Sequence, residues 1–219
     1  MCLCILGLTG SGKTHILHAL WSHGHQILDL EGLARHKGSV LGLWHGQKQP
    51  SQKYFESLLL HEFQSFSTDS PVWLESESVR IGNLYVPDKL FQHLQRAPRY
   101  NIILPLEERV KHIIRDYPNW IENKDDLKQI LQRLVQVRGK AVVNNWLKLI
   151  DNELWEELVH DLLVNHYDPT YTNSQKKNNM SQQDVEQIKV ANLDEDTLDD
   201  LVEHLTSLNN NKQTEIEMY

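Results

Sequence analysis

The octet GLTGSGKT at residues 7–14 follows a short apolar run, Cys2-Leu-Cys-Ile-Leu6, and matches GxxxxGK[ST] without a gap. The run is short, unbroken and closed by Gly7, which is the pattern of a parallel strand buried on both faces. Ile16, Leu17 and Leu20 then recur at helical spacing, so a helix is expected from 13 to about 22. A strand, a glycine turn and a helix in that order gather successive backbone N–H groups around one concavity, at the positive end of the helix. Gly7, Thr9, Gly10, Ser11, Gly12, Lys13 and Thr14 are therefore the expected phosphate-binding set. Lys13 adds a full positive charge to the cradle. Thr14 offers a hydroxyl to a phosphate-bound Mg²⁺ where one is present. The motif specifies a di- or triphosphate and leaves open whose.

Further strands are expected at 26–29, 71–75 and 100–104, with helices at about 51–66, 88–96 and 105–117 between and after them. Residues 30–50 form a long glycine-containing connection, the kind that tends to carry function. From 124 to 165 the apolar spacing is helical throughout, as in Leu127, Ile130, Leu131 and Leu134. The expected fold class is α/β, a P-loop NTPase-like parallel sheet flanked by helices, with a C-terminal helical annex. Its expected divisions are an α/β core over 1–122, the annex over 123–172, and an acidic linker and tail over 173–219. In that tail Leu198, Leu201, Leu205 and Leu208 form one apolar stripe that suits a single short helix.

Two strands end in acids. Asp29 and Glu31 follow the second, and Glu75 and Glu77 follow the third in a Walker-B-like position. Ligands of open parallel sheets bind beyond the carboxyl ends of the strands. Glu75 and Glu77 join Lys13 as catalytic candidates, holding Mg²⁺ through water or acting as a base. Arg35, His36, Lys37 and Ser39 lie in the long connection and, with Arg80, would clamp an anionic substrate. A solvated loop would carry the same residues. Arg109 falls in a predicted helix, where a lid arginine and a surface salt bridge fit equally well.

No stretch reaches the roughly 18–20 apolar residues of a membrane span, and the N-terminus has no basic region of a signal peptide. A cytoplasmic protein with no membrane partner is expected. Cys2 and Cys4 point the same way along one strand and are expected to be buried there without chemistry. The net charge is −8, with residues 1–174 near neutrality and the acidity concentrated beyond them, so a local basic face for RNA is compatible with the composition.

The motifs form a recognisable set. After the P-loop come Asp29-Leu-Glu-Gly-Leu-Ala-Arg-His-Lys-Gly-Ser39, Gln49-Pro-Ser-Gln-Lys53, and Val72-Trp-Leu-Glu-Ser-Glu-Ser78-Val-Arg-Ile-Gly82. Pro105-Leu-Glu-Glu-Arg-Val110, Asp116-Tyr117 and His166-Tyr-Asp-Pro-Thr-Tyr171 complete it. Over residues 3–171 this resembles the P-loop domain of tRNA 2-selenouridine synthase. The resemblance implies tRNA as substrate, modified at the wobble uridine: geranyl diphosphate alkylates 2-thiouridine, and selenophosphate then supplies selenium in place of sulfur. Asp29, Glu31, Arg35, His36, Lys37, Ser39, Arg80 and Arg109 are the candidate substrate- or tRNA-binding residues. Family members carry an N-terminal rhodanese-like domain with the cysteine that the selenium step needs, so the resemblance fits a split enzyme with a separate rhodanese-like protein, a truncated gene product, or a relative serving another tRNA step. No resident cofactor is specified. The other classes compatible with the motifs are a P-loop small-molecule or nucleotide kinase and a non-catalytic P-loop regulatory subunit.

Overall fold

In the computed structural model, which describes residues 1–39, 41–42, 47–75, 78–177 and 185–217, the apolar run is strand β1, Cys2–Gly7. Its side chains alternate between the two faces of the sheet: Leu3 and Ile5 enter one core and Cys4 the other. Helix α1, Lys13–Ser22, buries Ile16, Leu17 and Leu20, as the spacing requires. Then follow β2, Gln26–Leu28; α2, Leu30–Ala34; α3, Gln52–Ser65; and β3, Val72–Glu75. Ser51 caps α3 by accepting from the Tyr54 N–H. A short antiparallel hairpin, β4 at Arg80–Ile81 and β5 at Leu84–Tyr85, precedes α4, Asp88–Arg96. Strand β6, Arg99–Ile103, leads through Leu104 and Pro105 to α5, Leu106–Asp116.

The annex is helical throughout: α6, Pro118–Glu122; α7, Lys124–Gln132; α8, Val135–Arg138; α9, Lys140–Asp151; and α10, Trp155–Leu162. A π-turn at Leu163–Tyr167 joins α10 to α11, Asp168–Lys177. Leu127, Leu131, Val143, Trp146, Ile150, Leu158 and Leu162 pack into its own core. The Trp146 indole N–H finds the Asp161 carboxylate, which lets so large a polar-tipped ring be buried.

The segment read as linker and tail is corrected. Val185–Lys189 is strand β7, hydrogen-bonded in parallel to β6, and Glu195–Glu217 is a long helix, α12. The sheet order is β2-β3-β1-β6-β7, all parallel, with β1 at the centre. Ile188, Leu201, Val202 and Leu205 are buried in the same core as Leu3, Ile5 and the apolar face of α1. As an edge strand β7 buries little, so its polar alternate residues hid the strand pattern, while the leucine stripe of α12 faces α1 and the sheet. Among the described residues, no helix is long and apolar enough to cross a membrane.

Leu205→Ala should therefore lower the free energy of unfolding by about 2–4 kcal/mol in urea titration, as for other core truncations. Exposed Glu203, two residues earlier, should change it by about 0.5 kcal/mol or less when replaced by Ala. Two buried histidines add a pH dependence. Burial, then the neighbouring His15, pushes His112 down to about 4, and burial, then Arg138, does the same to His166. The usual value is 6.5. Between 6.5 and 4 the unfolded chain takes up protons that the native state refuses. Stability is thus fully present above 6.5 and lost as pH falls toward 4, with a slope of at most about 1.4 kcal/mol per pH unit for each ring. Thermal midpoints measured between pH 7 and pH 5 should fall, and the double variant His112→Gln/His166→Gln should flatten that slope.

Candidate phosphate site and the apolar chamber beside it

The turn between β1 and α1 is shaped by its glycines. Gly10 and Gly12 sit at φ of 81° and 76°, the left-handed region that side chains avoid. Gly7 is fixed by packing: a Cβ there would lie 2.2 Å from the Ser11 Oγ and 3.1 Å from the Ile102 carbonyl oxygen. The N-terminus of α1 has no side-chain cap, so the first-turn N–H groups are left for an anion. Lys13 Nζ lies over the loop and donates to the Gly7 carbonyl at 3.3 Å. The Thr14 hydroxyl donates to Glu75 Oε2 at 3.3 Å. Glu75, wholly buried, ends β3 directly beside Ile5 of β1. A hydroxyl and a carboxylate meeting at the rim of a phosphate cradle are the oxygen donors that Mg²⁺ takes together with phosphate. Among the described residues no group of three or more His, Cys, Asp or Glu could hold a metal without such a ligand.

Several candidates prove to be structural. Arg109 is 4% exposed: its Nε donates to the Thr9 carbonyl at 2.8 Å, and its two terminal nitrogens grip Asp168 at 3.0 and 2.6 Å. It is neither a lid nor a surface ion pair, because burial demands that its charge be matched. Lys37 is held by the Asp116 carboxylate at 2.5 Å and lies 4.2 Å from the centre of the Tyr117 ring, so it is not an open cation for tRNA. Asp29 caps α2 through the Gly32 N–H at 2.7 Å and meets His18 at 3.3 Å. Glu31 lies in the first turn of α2, within electrostatic reach of the Tyr117 phenol. His36 packs its ring over Gly82, with Nδ1 buried and its pKa lowered by burial. Arg35 and Arg80 remain exposed. Glu77 lies outside the described residues.

Ser39 has a role that residue type alone did not reveal. Its hydroxyl hydrogen-bonds both Tyr117 and Tyr167. Burial pushes the Tyr167 phenol up to about 12 and raises Tyr117 as well, so both keep their protons at neutral pH. These hydroxyls, with Thr9 of the P-loop, line a narrow chamber of about 60 Å³ whose other walls are apolar: Ile113, Trp120, Leu127, Trp155, Leu158 and Leu162 among them. Leu163 and Tyr167 stand next to Asp168, and so next to Arg109 and Thr9. Trp155, at the other end of α10, is about 12 Å away along the helix axis. The chamber thus runs from the phosphate cradle into the annex. Tyr117 and Tyr167 were present in the motif blocks, but no local pattern shows that they face one serine.

Cys2 and Cys4 are strand residues on one face of the sheet, and burial raises both thiols, Cys4 to about 12.

Comparison with known proteins supplies the family. Residues 1–129 match the family described as tRNA 2-selenouridine synthase AAA domain. A tRNA 2-selenouridine synthase of Nitrosomonas europaea is 42% identical over 118 residues, covering 52% of this chain and 30% of the relative. That of Bdellovibrio bacteriovorus is 30% identical over 222 residues, covering 82% of this chain and 57% of the relative. The chain thus spans between about a third and a little over half of the length of these relatives. Among solved structures, shikimate kinase from Bacteroides thetaiotaomicron is similar over 96% of this chain and 98% of its own, at 11% identity and a TM-score of 0.43. With more than half of its residues matched by the family's AAA domain, the chain belongs to the tRNA 2-selenouridine synthase family.

Proposed function

We propose that this chain is the P-loop part of a tRNA-modifying transferase that alkylates the wobble 2-thiouridine with geranyl diphosphate. The observation that carries this reading is the apolar chamber opening on Thr9 of the phosphate cradle. A ligand that fills both has an anionic diphosphate head and a hydrocarbon tail, and a nucleoside triphosphate does not. The thione sulfur attacks the first carbon of the prenyl chain, the carbon–oxygen bond breaks, and pyrophosphate leaves with the electron pair. Charge grows on the departing oxygens, where the first-turn N–H groups of α1 and Lys13 stabilise it. Glu75, oriented by Thr14, is suited to hold a phosphate-bound Mg²⁺ or to take a proton.

The second step, exchange of the S-geranyl group for selenium from selenophosphate, is assigned to a rhodanese-like thiol outside these residues. Cys2 and Cys4 fit that assignment, because buried thiols raised in pKa are poor nucleophiles. The kinase alternative drew on Arg109 as a lid, and that guanidinium is buried against Thr9 and Asp168. A purely regulatory P-loop subunit gives no reason for the chamber. The cytoplasm is the proposed location, where tRNA is the substrate.

Calorimetry with geranyl diphosphate and inorganic pyrophosphate tests the site. At about 0.8 kcal/mol per buried methylene, even four buried carbons favour the prenyl ligand by roughly two-hundredfold. Lys13→Ala should abolish binding of both, and Leu162→Trp, which fills the chamber, should lose the prenyl preference while keeping pyrophosphate. Equal affinity of the native protein for the two ligands would exclude the chamber as the tail site. Incubation with 2-thiouridine tRNA and geranyl diphosphate should yield a prenylated nucleoside by mass spectrometry.

A further inference from the structure

The β4–β5 hairpin is bound to its surroundings by two glutamines. Gln49 donates its amide to the carbonyls of Ala34 and Ile81, at 3.2 and 3.0 Å, and accepts the Asn83 N–H at 2.7 Å. Gln52, in the first turn of α3, donates to the Tyr85 carbonyl at 2.8 Å and accepts its N–H at 2.9 Å. A Cβ on Gly82 would lie 2.3 Å from the Gln49 Oε1 and 2.7 Å from the His36 ring, so the three segments are packed without a gap. This knot fixes the backbone and leaves its side chains outside. Tyr85 is 53% exposed, with the Arg80 guanidinium 5.8 Å from its ring centre, and Arg80 Nε is aligned by the Gly82 carbonyl at 2.7 Å. Tyr54, in the first turn of α3, is also 53% exposed.

Arg35, Lys48, Lys53 and Arg80 are all exposed at this corner, and among the described residues none has an ion-pair partner. The carboxylate of Glu56, one turn along α3, is held by the Gln52 amide at 2.8 Å. In a chain of net charge −8 such a group of unmatched cations is a local feature. Rigidly mounted aromatic faces among open cations are the recognition elements of unpaired nucleic acid: every base offers a π face, and the cations follow the phosphates. The corner also lies on the side where β1, β2 and β3 end, the side of the phosphate cradle.

We infer that this corner is the docking surface for an RNA loop, with Tyr85 as a base-stacking platform and Arg35, Lys48, Lys53 and Arg80 as its phosphate contacts. The inference rests on the reading above for the choice of RNA and adds where the loop is held. It moves RNA contact away from Lys37 and Arg109 to residues that the structure leaves open.

The test is fluorescence anisotropy on the full chain, with an anticodon stem-loop of unmodified RNA and a fully paired RNA duplex of equal length. The stem-loop should bind more tightly than the duplex. Tyr85→Ala should weaken stem-loop binding about thirtyfold, the mid-range of one lost base stack, while Tyr85→Phe binds as the native protein does. The double variant Lys48→Ala/Lys53→Ala should lower the salt slope of stem-loop binding by about 1.4. All of these side chains are exposed, and native thermal midpoints will show that the variants fold. Equal binding of stem-loop and duplex, or a Tyr85→Ala variant that binds like the native protein, overturns the inference. Native protein that binds geranyl diphosphate but neither RNA overturns this surface alone. Tyr85-dependent loop binding without prenyl diphosphate binding supports it and sinks the preceding reading instead.

Discussion

The guanidinium of Arg109 is held by the Thr9 carbonyl on one side and the Asp168 carboxylate on the other, almost without water. A charge so placed cannot be left unmatched, since an isolated buried ion costs several kcal/mol even after relaxation. The requirement ties together parts of the chain far apart in sequence: the P-loop, α5, and the start of α11 beyond the π-turn. It gives the glycine loop a fixed outer wall, and it holds the annex against the sheet along the line where the chamber meets the cradle. Both halves of the candidate site depend on this one bidentate contact. An arginine suits the place because its planar fork satisfies a carboxylate and a carbonyl together.

The same logic divides the basic residues around the site. Lys37 is matched by Asp116 and covered by Tyr117, and Arg138 donates to His166 and Thr170. These cations build walls. The His166-Tyr-Asp-Pro-Thr block is accounted for residue by residue: His166 accepts from Arg138, Tyr167 meets Ser39, Asp168 grips Arg109, and Thr170 accepts a second Arg138 contact. The cations that stay open gather on the hairpin corner instead. Phosphate chemistry and an anionic macromolecular partner are thereby served by different residues on one rim of the sheet.

Much of the fold was legible in the chain itself. The P-loop strand and helix and the all-helical annex follow from short-range patterns, and such patterns depend on neighbours a few residues apart, whereas the short helix α2 that Asp29 caps was read as part of a long connection. The hairpin at 80–85 was not visible, because its strands have two residues each and carry no periodicity. Strand β7 was hidden for a related reason: an edge strand next to an acidic helix needs few apolar residues, and its place beside β6 is a long-range pairing.

The sequence by itself determined that a phosphate cradle exists, and where. Its glycines, lysine and threonine are contiguous, and backbone sterics plus a helix dipole suffice to shape it. Only the tertiary structure decided what surrounds that cradle. Whether Arg109, Lys37 and Ser39 face a ligand or one another depends on partners roughly 60 to 130 residues away, Asp168, Asp116 and Tyr167, and burial decides whether each charge must be matched. The chamber is likewise formed by helices that meet only once the annex has packed on α5, so no local pattern records it.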